Sequence, residues 1–196
     1  MTPPPDSIAV VRMYNQGFGD CFLLAFPRED ARPFYVWLDC GVLRGTPQAG
    51  ERMQQVLANL HAETEGGRPD VLVVTHEHWD HLSGFEHLVR DEWSVGSVWQ
   101  SWLENPADED ARPIRELRKE AERSLTAAVQ ALPAESSVLT FVNGILQFSE
   151  GTRTAFNVAR GLGPIRYLSP GDELDEIPGV KTYVLGPPRA PAAIKD

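Results

Sequence analysis

Cysteine is scarce in this chain: Cys21 and Cys40 are the only two in 196 residues. That excludes a disulfide scaffold. Both are read as small buried residues on neighbouring strands. Long apolar runs are missing too, and nothing approaches the ~20 consecutive apolar residues a bilayer-crossing helix requires. The opening Met1-Thr2-Pro3-Pro4-Pro5-Asp6 lacks the basic and apolar regions of a secretory signal peptide. The expectation is therefore a cytoplasmic chain with no membrane segment. No internal repeat or low-complexity segment is found, which excludes solenoid and array architectures. Basic residues are outnumbered, 18 against 28 acidic, for a net charge of −10. Such a surface repels phosphate backbones and weighs against nucleic-acid binding by the chain alone. Nucleic acid stays open only as a substrate, because bound metal cations reverse the local field. Histidine is sparse, with five in all and none after His87.

What is present fits an ordinary globular domain spanning residues 1–196, with 42% hydrophobic and 23% charged residues. Strands are expected at Ile8–Tyr14, Cys21–Phe26 (an apolar run suited to burial on both faces), Phe34–Leu38, Asp70–Thr75, Val95–Trp99, Ile165–Leu168 and Val180–Leu185. Gln16–Asp20 and Ser169–Asp172 carry turn chemistry. Gln48–Glu65 has helical period, with Met53, Val56, Leu57 and Leu60 on one stripe and Gly66-Gly67 as its stop. A short helix is expected from Leu82 to Val89. A long one from Asp108 to Leu132 would bury the stripe Ile114, Leu117, Ala121, Leu125, Ala128 and Leu132. Further helices are expected at Ser136–Ser149 and Thr152–Arg160. Strands first, then helix–strand alternation, point to an α/β sandwich of sheets covered by helices.

The stretch with chemical content is Thr75-His76-Glu77-His78-Trp79-Asp80-His81. It follows the apolar Val71–Val74, at a strand end where open sheets place their sites. His76 and His78, two apart on an extended backbone, project to the same side and can reach one metal. Asp80 and His81 are adjacent, point elsewhere, and suit a second metal nearby. Imidazole nitrogen and carboxylate oxygen are suitable zinc ligands, and two metals ~4 Å apart can stabilise both the attacking and the leaving oxygen. A solvated polar loop is the bland alternative, and four donors in six positions behind a buried strand disfavour it.

His76-Glu77-His78-Trp79-Asp80-His81 resembles the H-x-H-x-D-H signature of the metallo-β-lactamase superfamily, and Leu82-Ser83-Gly84 matches its usual continuation. Asp39-Cys40-Gly41 resembles that family's first motif, whose aspartate supports the metal loop from behind. Gly19-Asp20-Cys21 resembles the subgroup containing the DNA-uptake competence proteins. The resemblance implies an αββα sandwich, here incomplete at the C-terminus and with a helical insertion around 108–160. It implies a zinc-dependent hydrolase of an ester-like bond. His76 and His78 would hold one Zn2+ and Asp80 and His81 a second, with Asp80 orienting the attacking hydroxide as the catalytic residue. Iron or manganese could take the place of zinc.

The chain departs from the family pattern downstream, where further ligands are expected. Asp172 can be nominated as a bridging aspartate, but a turn role suits it better. His61 and His87 read as structural, Trp93, Trp99 and Trp102 as core in preference to cleft lining, Trp79 as packing or a pocket wall, and Asp108-Glu109-Asp110 as a helix first turn. The substrate is expected to be a small molecule or a phosphodiester, the latter slightly favoured by Gly-Asp-Cys and opposed by the net charge. Two alternatives stand: a non-catalytic metal-binding or interaction module, and an iron oxidoreductase. The downstream gap further implies that the 196 residues alone are nearly inactive.

Overall fold

The computed structural model describes residues 1–4, 6–29, 32–130 and 150–190. Six strands make one mixed sheet: β1 (Val10–Met13), β2 (Phe22–Phe26), β3 (Phe34–Leu38), β4 (Val71–Val73), β5 (Ser97–Ser101) and β6 (Ile165–Leu168), ordered as numbered. The pairs β1–β2 and β2–β3 are antiparallel; the later pairs are parallel. A parallel pair needs a crossover, and helix α1 (Ala49–Glu63) supplies it between β3 and β4. The register Val36↔Val71 and Leu38↔Val73 ends both strands at the same edge. Asp39 and Thr75, the residues just beyond, therefore emerge side by side.

One face of the sheet carries the main core. The α1 stripe Met53, Val56, Leu57 and Leu60 is buried as expected, against Leu23, Trp37 and Leu72. Trp37 stands 5.1 Å from both Phe85 and Trp93, ring centre to ring centre. A helix over 150–160, here α4, adds Ala155, Phe156 and Ala159. The other face is covered by a small antiparallel pair, β7 (Glu173–Leu174) and β8 (Thr182–Tyr183), with Ile177 between them. A cavity of about 580 Å³ remains there, lined by Leu24, Leu38, Val73, Trp99 and Val184 among others. The architecture is thus the expected α/β one. Among the described residues the second sheet is represented by two strands.

Three local expectations need correction. β2 is not buried on both faces: Leu23 and Ala25 are fully buried, but Leu24 faces the cavity and is only half-buried. The short helix begins earlier than Leu82, as α2 (Trp79–Leu82), and continues as a 3-10 turn over Ser83–His87. Helix α3 (Ala111–Gln130) does form, but its apolar stripe is not a core stripe. Ala111 is buried while Leu117 is 63% exposed, because α3 rests on the body near its start, beside the 3-10 turn Trp102–Glu104. The helix expected at Ser136–Ser149 and the stripe residue Leu132 lie outside the described residues.

Candidate metal centre

Three backbone segments meet at the common end of β3 and β4: 16–21, 39–42 and 80–84. Asp39 N–H donates to Val73 O, Cys40 N–H to His81 O, Gly41 N–H to Asp20 O, and Asp20 N–H to Asp80 O, at 2.8–3.1 Å. Gly41 is required by this packing. A Cβ there would stand 2.3 Å from the Asp80 carbonyl, well inside contact distance. The buried Gln16 ties the first segment down, its Nε2 donating to Gly41 O at 2.8 Å and Gly19 O at 3.1 Å. Asp39 adopts φ +48, a left-handed conformation that Asp tolerates better than most residues.

That turn aims the Asp39 carboxylate, 2% exposed, at the base of the metal loop. Oδ1 accepts Thr75 N–H at 2.9 Å, and Oδ2 accepts the Thr75 hydroxyl at 2.6 Å and His81 Nδ1 at 2.9 Å. A carboxylate only accepts, so Nδ1 of His81 carries the hydrogen and Nε2 is left with its lone pair. Thr75 Oγ1 also meets His76 Nδ1 at 3.0 Å, and His76 Nε2 meets His78 Nδ1 at 2.9 Å. With the Thr75 hydroxyl given to Asp39, His76 Nδ1 donates to Thr75, and the Nε2 lone pair of His76 faces the site. One buried carboxylate thus orders both imidazoles.

The structure brings all four loop residues together. The ring of His76 lies 4.3 Å from that of His78 and 4.0 Å from that of His81, centre to centre. Asp80 Oδ2 stands 3.7 Å from His81 Nε2. The expectation that Asp80 and His81 point away from the histidine pair is corrected by α2, whose first turn swings His81 back over His76. Burial and the neighbouring His81 and His78 lower the pKa of His76. The hydrogen bond that His81 donates to Asp39 raises the pKa of His81. Three imidazoles packed this closely repel one another when protonated, and nitrogen lone pairs beside carboxylates are a donor set that suits a divalent cation.

Asp20 is the residue that the ligand reasoning passed over. Its Oδ2 lies 3.5 Å from His81 Nδ1, and Asp20, Asp39 and His81 present ligand atoms within 4.8 Å of one another. Asp39 is already committed to three hydrogen bonds, so support is its better role. Asp20, half-exposed, is the spare carboxylate. Its signal was the Gly-Asp-Cys triplet. Asp172 does not behave as a bridging ligand: its Oδ2 accepts the Ser169 N–H at 2.8 Å, closing its own turn. His61 packs edge-on against Trp93, and His87 is near Gly50. Trp79 packs beside Gly151 of α4, with Arg44 6.0 Å from its ring centre.

A family model described as the metallo-beta-lactamase superfamily matches residues 45–184. No curated protein matches the chain at a significant level.

Proposed function

The chain belongs to the metallo-β-lactamase superfamily, and from that premise we propose that it is a zinc-dependent hydrolase of an ester-like bond, with a phosphodiester as the favoured substrate. The observation that carries the reading is the hydrogen bond between Asp39 and His81, 2.9 Å long. It fixes the tautomer that turns Nε2 outward, toward Asp80 and beside the paired rings of His76 and His78.

In this reading His76 and His78 hold one Zn2+, and Asp80 and His81 hold a second. Bound zinc supplies Lewis acidity and lowers the pKa of a water. The protein's own groups do the rest. Asp39 locks the imidazole of His81, Thr75 locks that of His76, and Gln16 and Gly41 hold the loop backbone in place. Asp80, part-exposed, accepts a hydrogen bond from the attacking water and orients it.

The test is elemental analysis combined with hydrolysis assays on bis(p-nitrophenyl) phosphate and p-nitrophenyl acetate. Zinc binding at the loop is expected, with phosphodiester turnover that is weak for residues 1–196 alone and vanishes with chelator. Turnover that survives complete metal removal would sink the reading. A second reading, a metal-binding module without catalysis, is favoured by Asp172, which serves its own turn and so adds no bridging carboxylate to the four loop side chains and Asp20. Stoichiometric zinc without hydrolysis of either substrate would select it.

A further inference from the structure

The metal loop bends at Glu77. His78 N–H donates to His76 O across the bend at 3.1 Å, which closes a three-residue turn with Glu77 at its centre. That turn sets the rings of His76 and His78 4.3 Å apart, centre to centre. A lone hydrogen bond is a modest restraint, so what holds the central residue matters. The Glu77 side chain is only 11% exposed and is ion-paired with Arg118 of α3. Arg118 is steadied in turn, with Nη1 3.8 Å from Glu104 Oε1. Ala111, Arg115 and Arg118 share one face of α3. Ala111 is buried, and Arg115 Nη1 donates to Leu103 O at 2.8 Å. Arg118 is therefore the third contact of an anchored helix.

An ordinary surface ion pair contributes little and acts on nothing beyond itself. Two features set this one apart. Its carboxylate is largely buried, and that carboxylate belongs to the residue between the two candidate ligands of one metal. Thr75 orders the ring of His76, and Asp39 orders that of His81. His78 has its ring hydrogen bond to His76, so where its imidazole points depends on the turn. A guanidinium is a planar, permanently charged partner for a carboxylate, and here it is delivered by a helix from outside the loop. Groups that orient metal ligands from behind typically govern affinity by 10–100-fold.

We propose that Glu77 and Arg118 are positioning residues of the metal centre: their ion pair, made from α3, holds the turn that converges His76 and His78 on one metal ion. The inference rests on the zinc reading for its effect on affinity, but not for the positioning itself. Neither residue touches the metal or the substrate. Arg118 acts on Glu77, and Glu77 acts through the backbone it shares with both histidines.

The sign of one substitution separates positioning from simple electrostatics. By Coulomb's law, removing a cation near a cation site tightens metal binding. Positioning requires the opposite for Arg118→Gln. On the full chain, zinc affinity measured by chelator competition should fall about tenfold in Arg118→Gln. Arg118→Lys, which keeps the charge, should retain the larger part of it. Lys119→Gln, one residue along the same helix, is the electrostatic baseline and should not weaken zinc. Glu77→Gln combined with Arg118→Gln removes one charge of each sign, so the Coulombic effects offset each other and the loss of affinity should persist. In the metal-free chain, the imidazole NMR signals of His76 and His78 should shift in Arg118→Gln and stay in place in Lys119→Gln, with urea melts showing both variants folded. Unmoved imidazole signals, or zinc bound by Arg118→Gln as tightly as by the native chain or more so, overturn the proposal. A native chain that takes up no zinc, but whose imidazole signals respond to Arg118→Gln, upholds the positioning and removes the zinc reading. Zinc bound equally by the native chain and Arg118→Gln, with unmoved signals, does the reverse.

Discussion

Oδ2 of Asp39 lies 2.9 Å from Nδ1 of His81, across 42 residues of sequence. The two are brought together because β3 and β4 run parallel in adjacent register and end at one edge. Asp39 follows the first strand, and His81 rides the loop that follows the second. Burial makes this contact consequential, since an unpaired carboxylate there would be costly.

Replacing Asp39 by Asn tests that role directly. The amide keeps the shape but removes the charge, and it no longer forces the hydrogen onto Nδ1 of His81. Zinc affinity should fall by about 10–100-fold, as when a supporting group behind a ligand is lost. Competition against a chromogenic chelator measures it; an unchanged affinity would detach Asp39 from the metal centre.

Gly41→Ala should be strongly destabilising. The added methyl carbon would stand 2.3 Å from the Asp80 carbonyl, and backbone must move to admit it. A cost of about 1–3 kcal/mol or more is expected for such overpacking. Gly50 in α1 is the control. A Cβ there meets His87 at an ordinary 3.5 Å, so Gly50→Ala should gain roughly 0.5–1 kcal/mol from helix propensity. Urea melts of both variants give the comparison.

The parts of the fold set by local pattern were legible in the sequence. The α1 stripe and strands β3 and β6 appear where periodicity puts them, and the His76–His81 loop appears where its donor density puts it. What escaped was set by distant partners. Leu117 and its neighbours have helical spacing, but nothing in that spacing says whether a surface covers them, and Leu117 is exposed. Gln16 looks like any turn residue until Gly41 arrives from 25 residues away. Asp20 becomes a candidate only when Asp80 O accepts its N–H and fixes it beside His81. Nothing in the local pattern of α3 shows that Arg118 meets Glu77.

Glu104 supplies a prediction on pH. Burial first, and the charge of Glu77 second, hold its carboxyl above the ordinary value of 4.5, with Arg118 opposing them. For an acid raised in the folded state, the stabilising contribution is complete below pH 4.5 and disappears as pH rises through the raised value. Glu104→Gln escapes that loss. Its stability relative to the native chain should therefore increase from pH 4.5 to pH 7, the more so because the Arg118 contact it gives up is long and partly solvated. Denaturant melts at the two pH values measure the difference, and a variant that becomes relatively weaker toward pH 7 would contradict it.

The last prediction concerns the ligands. A cation that binds the folded chain alone stabilises it by mass action, about 2.7 kcal/mol at a hundredfold excess over Kd. Zinc should therefore raise the melting temperature of the native chain, and chelator should reverse the shift. His76→Ala with His78→Ala removes two adjacent rings, and with them the His76–Thr75 and His76–His78 hydrogen bonds. Asp39, Asp80 and His81 keep their contacts to one another. The double variant should thus lose one equivalent of zinc, keep the second more weakly, and show a smaller thermal shift. His81→Ala acts differently, because it also leaves Asp39 short of a buried partner: it should lower stability even in the absence of metal. Elemental analysis and melting curves with and without zinc separate the two cases. Full zinc stoichiometry in the His76/His78 variant would overturn the assignment of the first metal to that pair.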